Sequence, residues 1–113
     1  MNDFLIVVDM QKDFIDGALP AFHAKEILPA VIDEIRKRDA YHVLFTLDTH
    51  QNDYLETQEG KHLPIKHCIK GNPGYELYPS IEKEVRNSLK IEKPTFASLI
   101  LIDVLKKRIK SKE

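Results

Sequence analysis

The sequence predicts an α/β domain built on a parallel sheet. Two short apolar runs, residues 4–8 (FLIVV) and 41–47 (YHVLFTL), are strand candidates. Between them, residues 24–39 carry Ile27, Leu28, Val31, Ile32 and Ile35 on one helical face, with Asp33, Glu34, Arg36, Lys37 and Arg38 largely off it. Apolar strands alternating with amphipathic helices are what a parallel sheet with right-handed crossovers requires.

Each element follows from its neighbours. The first strand is bounded by Asp3 and Asp9, and a polar turn with Asp16-Gly17 and Pro20 follows it. Pro29 falls early in the helical pattern, so the regular helix is expected to begin near it. Residues 52–74 hold Gly60, Pro64, Gly71, Pro73 and Gly74 with little periodicity and read as one long loop, usually functional inside a compact domain. A short helix is expected over 79–88, a third strand over 89–92 stopped by Pro94, and a last helix over 98–109, where Leu101, Leu105 and Ile109 recur every four residues. Three strands make a small sheet for this class. The expectation is one domain over 1–113, apparently cut short at its C-terminal end.

Composition narrows the function classes. Seventeen Lys+Arg against 18 Asp+Glu leave a net charge of -1, with no bulk attraction for nucleic acid. The longest apolar runs, 4–8 and 99–102, fall far short of the ~20 residues a membrane helix needs. No basic segment precedes the first apolar run as in a signal peptide, so a cytoplasmic protein is expected. The single cysteine, Cys68, excludes an internal disulfide framework and a cysteine-rich zinc site.

Chemistry collects at the strand ends. Asp9 follows the first strand, Asp48 and His50 the second, and Lys93 the third. In an open parallel sheet all carboxyl ends share one edge, where ligands bind. Asp48 and His50, two apart on extended backbone, point the same way. With a histidine from the following loop they form a ligand set for zinc, iron or manganese that leaves positions open. His67 and His62 are equal candidates for that third ligand. His23 and His42 are expected to be surface or partly buried residues without function.

These residues carry a resemblance. Asp9-Met10-Gln11-Lys12-Asp13-Phe14 after an apolar strand resembles the opening motif of the nicotinamidase/isochorismatase-like cysteine hydrolases. Residues 46–74 are similar to the metal loop of the nicotinamidase branch, and Glu92-Lys93-Pro94-Thr95-Phe96 to the family's lysine motif. The resemblance implies a three-layer isochorismatase-like hydrolase fold. It implies Asp9 as the carboxylate that accepts the nucleophile's proton and Lys93 as its catalytic partner. It implies Asp48, His50 and His67 as ligands of a divalent metal, zinc or iron, that binds the pyridine nitrogen of nicotinamide. Phe14 would line the substrate ring, and Gln11 would lie close enough to hold a water at the metal. The implied reaction is hydrolysis of a small amide to nicotinate and ammonia through a thioester.

The family's nucleophilic cysteine lies beyond the lysine motif, and no residue here matches it. Cys68 matches the His-Cys pair of the metal loop instead and is expected to be a small buried thiol. The chain alone is therefore expected to be inactive: a metal-binding or oligomerising module, or part of a relative acting on another amide. A short sheet with an unpaired edge is also expected to self-associate. Tyr54 stands where some relatives carry a further histidine, Asn72 where threonine is common, and Ile65-Lys66 where many have one residue.

Overall fold

The computed structural model describes residues 3–93 and 99–111. Three strands, β1 (Leu5–Val8), β2 (Val43–Asp48) and β3 (Leu89–Lys93), form a parallel sheet in the order β1-β2-β3. Leu5 lies opposite Val43, and Val8 opposite Thr46; Leu44 lies opposite Leu89, and Asp48 opposite Lys93. That register brings the carboxyl ends of all three strands to one edge.

β2 is the central strand, and all six of its residues are buried. Val43, Phe45 and Leu47 face one side and pack with Val7, Leu28, Ile35, Ile81 and Val85. Leu44, Thr46 and Asp48 alternate to the other side. The helix over α2 (Leu28–Arg36) supplies Leu28 and Ile35 to this core, and Pro29 sits in its first turn, as the sequence predicts. The one-turn helix α4 (Pro79–Glu82) supplies Ile81.

Several boundaries differ from the sequence reading, each for a local reason. The turn after β1 folds into α1 (Lys12–Ile15), and the loop over 52–74 contains α3 (Gln58–His62) and single 3-10 turns at Tyr54–Glu56 and Pro73–Tyr75. Helices of four or five residues are too short to show a period. The helix expected over 79–88 is only four residues long. β2 and β3 each end one residue later than expected, making Asp48 and Lys93 strand residues, and β2 starts two residues later because Ala40–His42 forms a 3-10 turn. The last helix, α5 (Leu99–Ser111), carries Leu101, Val104 and Leu105 half-buried, while Ile109 is exposed. Pro94, Thr95, Phe96 and Ser98 of the sequence reading lie outside the described residues.

β1 pairs only with β2 among the described residues. Because the Asp9 N–H donates to the Thr46 carbonyl, Ile6 and Val8 turn their backbone groups away from β2. Val8 is 55% exposed on that edge. No helix among the described residues is long and apolar enough to cross a membrane.

Phe45 has no exposed surface and sits at the middle of the central strand. Phe45→Ala is expected to destabilise the fold by about 3–5 kcal/mol, a large share of a small domain's total. Urea denaturation followed by circular dichroism measures it, and a loss below about 1 kcal/mol would contradict this account of the core.

Candidate active site

The backbone reverses sharply as β1 ends. Asp9 has φ 54°, the left-handed region that a non-glycine residue rarely occupies without support. Support comes from the neighbouring strand. The Asp9 N–H donates to the Thr46 carbonyl at 3.1 Å, and the Thr46 hydroxyl donates to Asp9 Oδ1 at 3.2 Å. Lys93 reaches the same carboxylate from β3, with Nζ 3.0 Å from each oxygen. The lysine side chain is 8% exposed. A buried ammonium needs a partner, so either charge holds the other in place.

One strand over, a second group assembles. Asp48, His50, Glu59 and His67 each place a ligand atom within 4.8 Å of all the others. His50 Nε2 lies 3.0 Å from Asp48 Oδ2 and 3.2 Å from Glu59 Oε2; His67 Nε2 lies 3.5 Å from Asp48 Oδ2. Bonds of 2.0–2.1 Å in a tetrahedral zinc site put neighbouring ligand atoms roughly 3.3 Å apart. The donor set fits such an ion. His67 Nδ1 lies 2.7 Å from the Ile65 carbonyl, which can only accept. Its Nδ1–H is thereby used, and Nε2 keeps its lone pair toward Asp48.

The sequence folds locally to build this group. Asp48 and His50 continue the line of β2, and His50 bridges to Ile69 as if the loop were a further strand. Thr57 caps α3, its hydroxyl accepting from the Gly60 N–H at 3.0 Å. Gly60 is forced by space: a Cβ there would fall 1.9 Å from the Tyr54 carbonyl. The close approach of α3 to the Tyr54 backbone delivers Glu59. Tyr54 is almost wholly buried, its ring centroid 4.6 Å from that of His50 and 5.0 Å from that of His67. Its hydroxyl donates to the Leu63 carbonyl at 2.8 Å, and burial pushes its pKa up.

Gln11 and Phe14 sit beside the two groups in different ways. Gln11 is fully buried. Its Nε2 donates to the carbonyls of Asp48 (2.9 Å) and Tyr75 (2.7 Å), and its Oε1 accepts from the Asp48 N–H at 2.9 Å. Only one Oε1 lone pair remains for any other partner. The Phe14 ring meets His67 edge-on at 5.5 Å and lines a recess of about 350 Å³ together with Asp9, Met10 and Phe22. Cys68 is fully buried, and burial followed by the nearby carboxylates drives its thiol pKa well up.

The structure brings together Asp9 with Lys93, and Asp48 and His50 with His67. Of the two histidines left open by spacing, His67 is the one that comes back to Asp48 and His50. His62 is exposed on α3, 3.5 Å from Gln58 Nε2, whereas His67 joins the group. Sequence reasoning missed Glu59; the signal was Thr57-Gln58-Glu59, a capping threonine with an acid in the first turn. His42 is not a surface residue. It is buried, with Nδ1 2.7 Å from Asp39 Oδ1, and its ring packs against Phe4. His23 is exposed, as expected, and pairs with Glu26.

A three-stranded parallel sheet with an acid–lysine pair and a carboxylate–imidazole group at its carboxyl edge defines an α/β domain of hydrolase-like layout. Residues 3–112 match the Isochorismatase domain, and the chain belongs to that family, with its α/β parallel-sheet fold. Among solved structures it is similar to the pyrazinamidase of Pyrococcus horikoshii in complex with zinc, at 28% identity and TM-score 0.70, over 95% of this chain and 65% of that one. It is also similar to a nicotinamidase from Bacillus subtilis (30% identity, TM-score 0.71, 96% of this chain and 66% of that one). A third is the N-carbamoylsarcosine amidase of Thermoplasma acidophilum (27%, 0.68, 95% and 62%). The chain thus spans about two thirds of the length of these proteins. No curated protein matches it.

Cys68 gives a direct check on this site. A buried thiol with a raised pKa stays protonated at about pH 8 and presents no thiolate to a reagent. Ellman's reagent is expected to react with the native chain at least ~100-fold more slowly than with the chain in guanidinium. Equal rates would contradict the burial.

Proposed function

We propose that this chain carries the acid–base and metal-holding part of a nicotinamidase-like amide hydrolase, acting on nicotinamide or a related small amide. One observation carries the reading: the Asp9–Lys93 pair and the Asp48/His50/Glu59/His67 group stand at the same sheet edge, with Asp48 and Lys93 directly opposite in register. Residues 1–113 belong to one such domain, working in the cytoplasm. In this reading Asp9, held by Lys93 and the Thr46 hydroxyl, takes the proton of an attacking group. Lys93 balances the negative charge that develops on the substrate. Phe14 forms the apolar wall against an aromatic ring, and Gln11 supports the site by fixing the Asp48 backbone. Asp48, His50 and His67 would hold zinc or iron, with Glu59 beside His50 outside the ligand set, so that a position stays open for a pyridine nitrogen from which the ion's Lewis acidity would draw electron density.

Cys68 does not serve as the nucleophile in this reading. Its thiol is buried and protonated, and its backbone N–H and carbonyl are both engaged in the loop. The chain by itself therefore binds without turning over. Loaded with zinc, it is expected to take about one ion and to bind nicotinamide at least ~10-fold more tightly than benzamide, which lacks the ring nitrogen. Calorimetry measures both. His67→Ala should abolish the zinc uptake, and an ammonia assay with nicotinamide should stay at background. Absence of zinc binding refutes the ligand assignment, and ammonia release lost in Cys68→Ser refutes the exclusion of that thiol.

The uncovered edge of β1 supports self-association as a second property of the chain. Exposed apolar strand edges pair with other chains unless blocked, and Leu5–Val8 carries no charge and no proline. Sedimentation velocity is expected to show species above the 13.1 kDa monomer that grow with concentration. A single monomeric species throughout would contradict it.

A further inference from the structure

We propose that Asp13 is the positioning residue of the candidate metal centre, clamping the backbone that presents His67; this rests on the metal reading above. Asp13 lies in α1, one residue before Phe14. Its Oδ1 accepts from the Ala18 N–H at 3.1 Å, closing the local turn. Its Oδ2 accepts from the Cys68 N–H at 2.8 Å, across 55 positions of sequence. That second bond has no local purpose.

Cys68 needs the bond. Its φ is 49°, in the left-handed region unfavourable to any residue with a Cβ. Its carbonyl is held from the other side by the His50 N–H at 3.0 Å. The residue after His67 is thus pinned at both of its backbone groups, by an acid of α1 and by a neighbouring metal-ligand candidate. α1 then addresses His67 a second time, through the Phe14 ring against the imidazole at 5.5 Å.

Two glycines mark the carboxylate's seat. A Cβ at Gly74 would lie 2.2 Å from both Asp13 oxygens, and one at Gly17 would lie 2.5 Å from Oδ1. Neither glycine has a positive φ; Gly71 alone does among the described glycines. Backbone conformation therefore does not require glycine at 17 or 74. At Gly74 room for the Asp13 carboxylate does; at Gly17 a Cβ would also meet the Asp13 Cα at 2.6 Å, so there the backbone of α1 requires the glycine too. A carboxylate seated this closely behaves as an outer partner of the ligand set, fixing the geometry of a residue it does not touch.

Zinc affinity of the full chain, measured by competition with a chromophoric chelator, tests the clamp. Asp13→Ala is expected to weaken zinc binding by about 10–100-fold. Asp13→Asn keeps one acceptor, enough for the Cys68 N–H but not also for the Ala18 N–H, and should recover part of that loss. Gly74→Ala leaves the carboxylate in the chain but crowds its seat, and should weaken binding in the same direction. If Asp13→Ala does not fold, the asparagine and Gly74 variants carry the comparison. Affinity unchanged in the folded variants, with only a lower thermal midpoint, would overturn the proposal and leave Asp13 a structural residue. If the unsubstituted chain takes up no zinc, the metal reading fails separately. The clamp is then judged on the His67 imidazole by 15N NMR: one Nδ1-protonated tautomer in the unsubstituted chain and a mixture in the Asp13 variant supports it, and identical spectra overturn it.

Discussion

The arrangement of the site depends on the buried amide of Gln11. It joins the segment just beyond β1 to the end of β2 through both backbone groups of Asp48, and to the 3-10 turn of the long loop through the Tyr75 carbonyl. Three chain segments with no covalent reason to meet are thereby held at hydrogen-bond distance. Tyr75 is anchored in turn: its hydroxyl donates to Glu92, lowering that carboxyl's pKa, while burial raises its own to about 12. A buried amide satisfied on three sides is costly to disturb, since any one broken bond leaves a desolvated polar group. Asp48 can carry a carboxylate into a nearly closed site because its own backbone is fixed in this way.

Backbone strain is concentrated at the same edge. Asp9 and Cys68 both take left-handed conformations, one beside Lys93 and the other beside His67. Each is restrained by partners from a different element: Thr46 and Lys93 for Asp9, Asp13 and His50 for Cys68. Of the other two such non-glycine residues described, His23 borders the recess that Asp9 and Phe14 line, and Arg86 is not among its lining residues. Arg86 has a different use, donating to the carbonyls of Ile35 and Arg38 at the C-terminal end of α2. The strained positions at the edge re-aim side chains that a straight strand would have pointed elsewhere.

Much of this was readable from the sequence. The strands were legible because fully buried runs such as 43–47 tolerate no charged residue, and the parallel order followed from alternation. Asp9, Asp48, His50 and Lys93 were legible because strand ends are conspicuous and the sheet brings them to one edge. His67 could not be separated from His62 by spacing, since the choice depends on where the loop returns, and that return is set by the His50–Ile69 bridge and the Asp13–Cys68 bond. Glu59 was hidden for a related reason: a five-residue helix has too few turns to show a period. Gln11 was expected close enough to hold a water at the metal, but whether an amide serves a ligand or a backbone depends on partners 37 and 64 residues away.

The last helix behaves differently from the sheet it follows. No described side chain of α5 is fully buried; its inner stripe of Leu101, Val104 and Leu105 is only partly covered, and Arg108 stacks over the Tyr41 ring at 4.4 Å. β2, by contrast, has all six residues out of solvent. Segments with few buried apolar contacts open at a fraction of the cost of global unfolding. The amide hydrogens of α5 are therefore expected to exchange with deuterium through local fraying, and those of β2 only when the whole sheet comes apart. The chain has two clocks, and the site keeps time with the slower one.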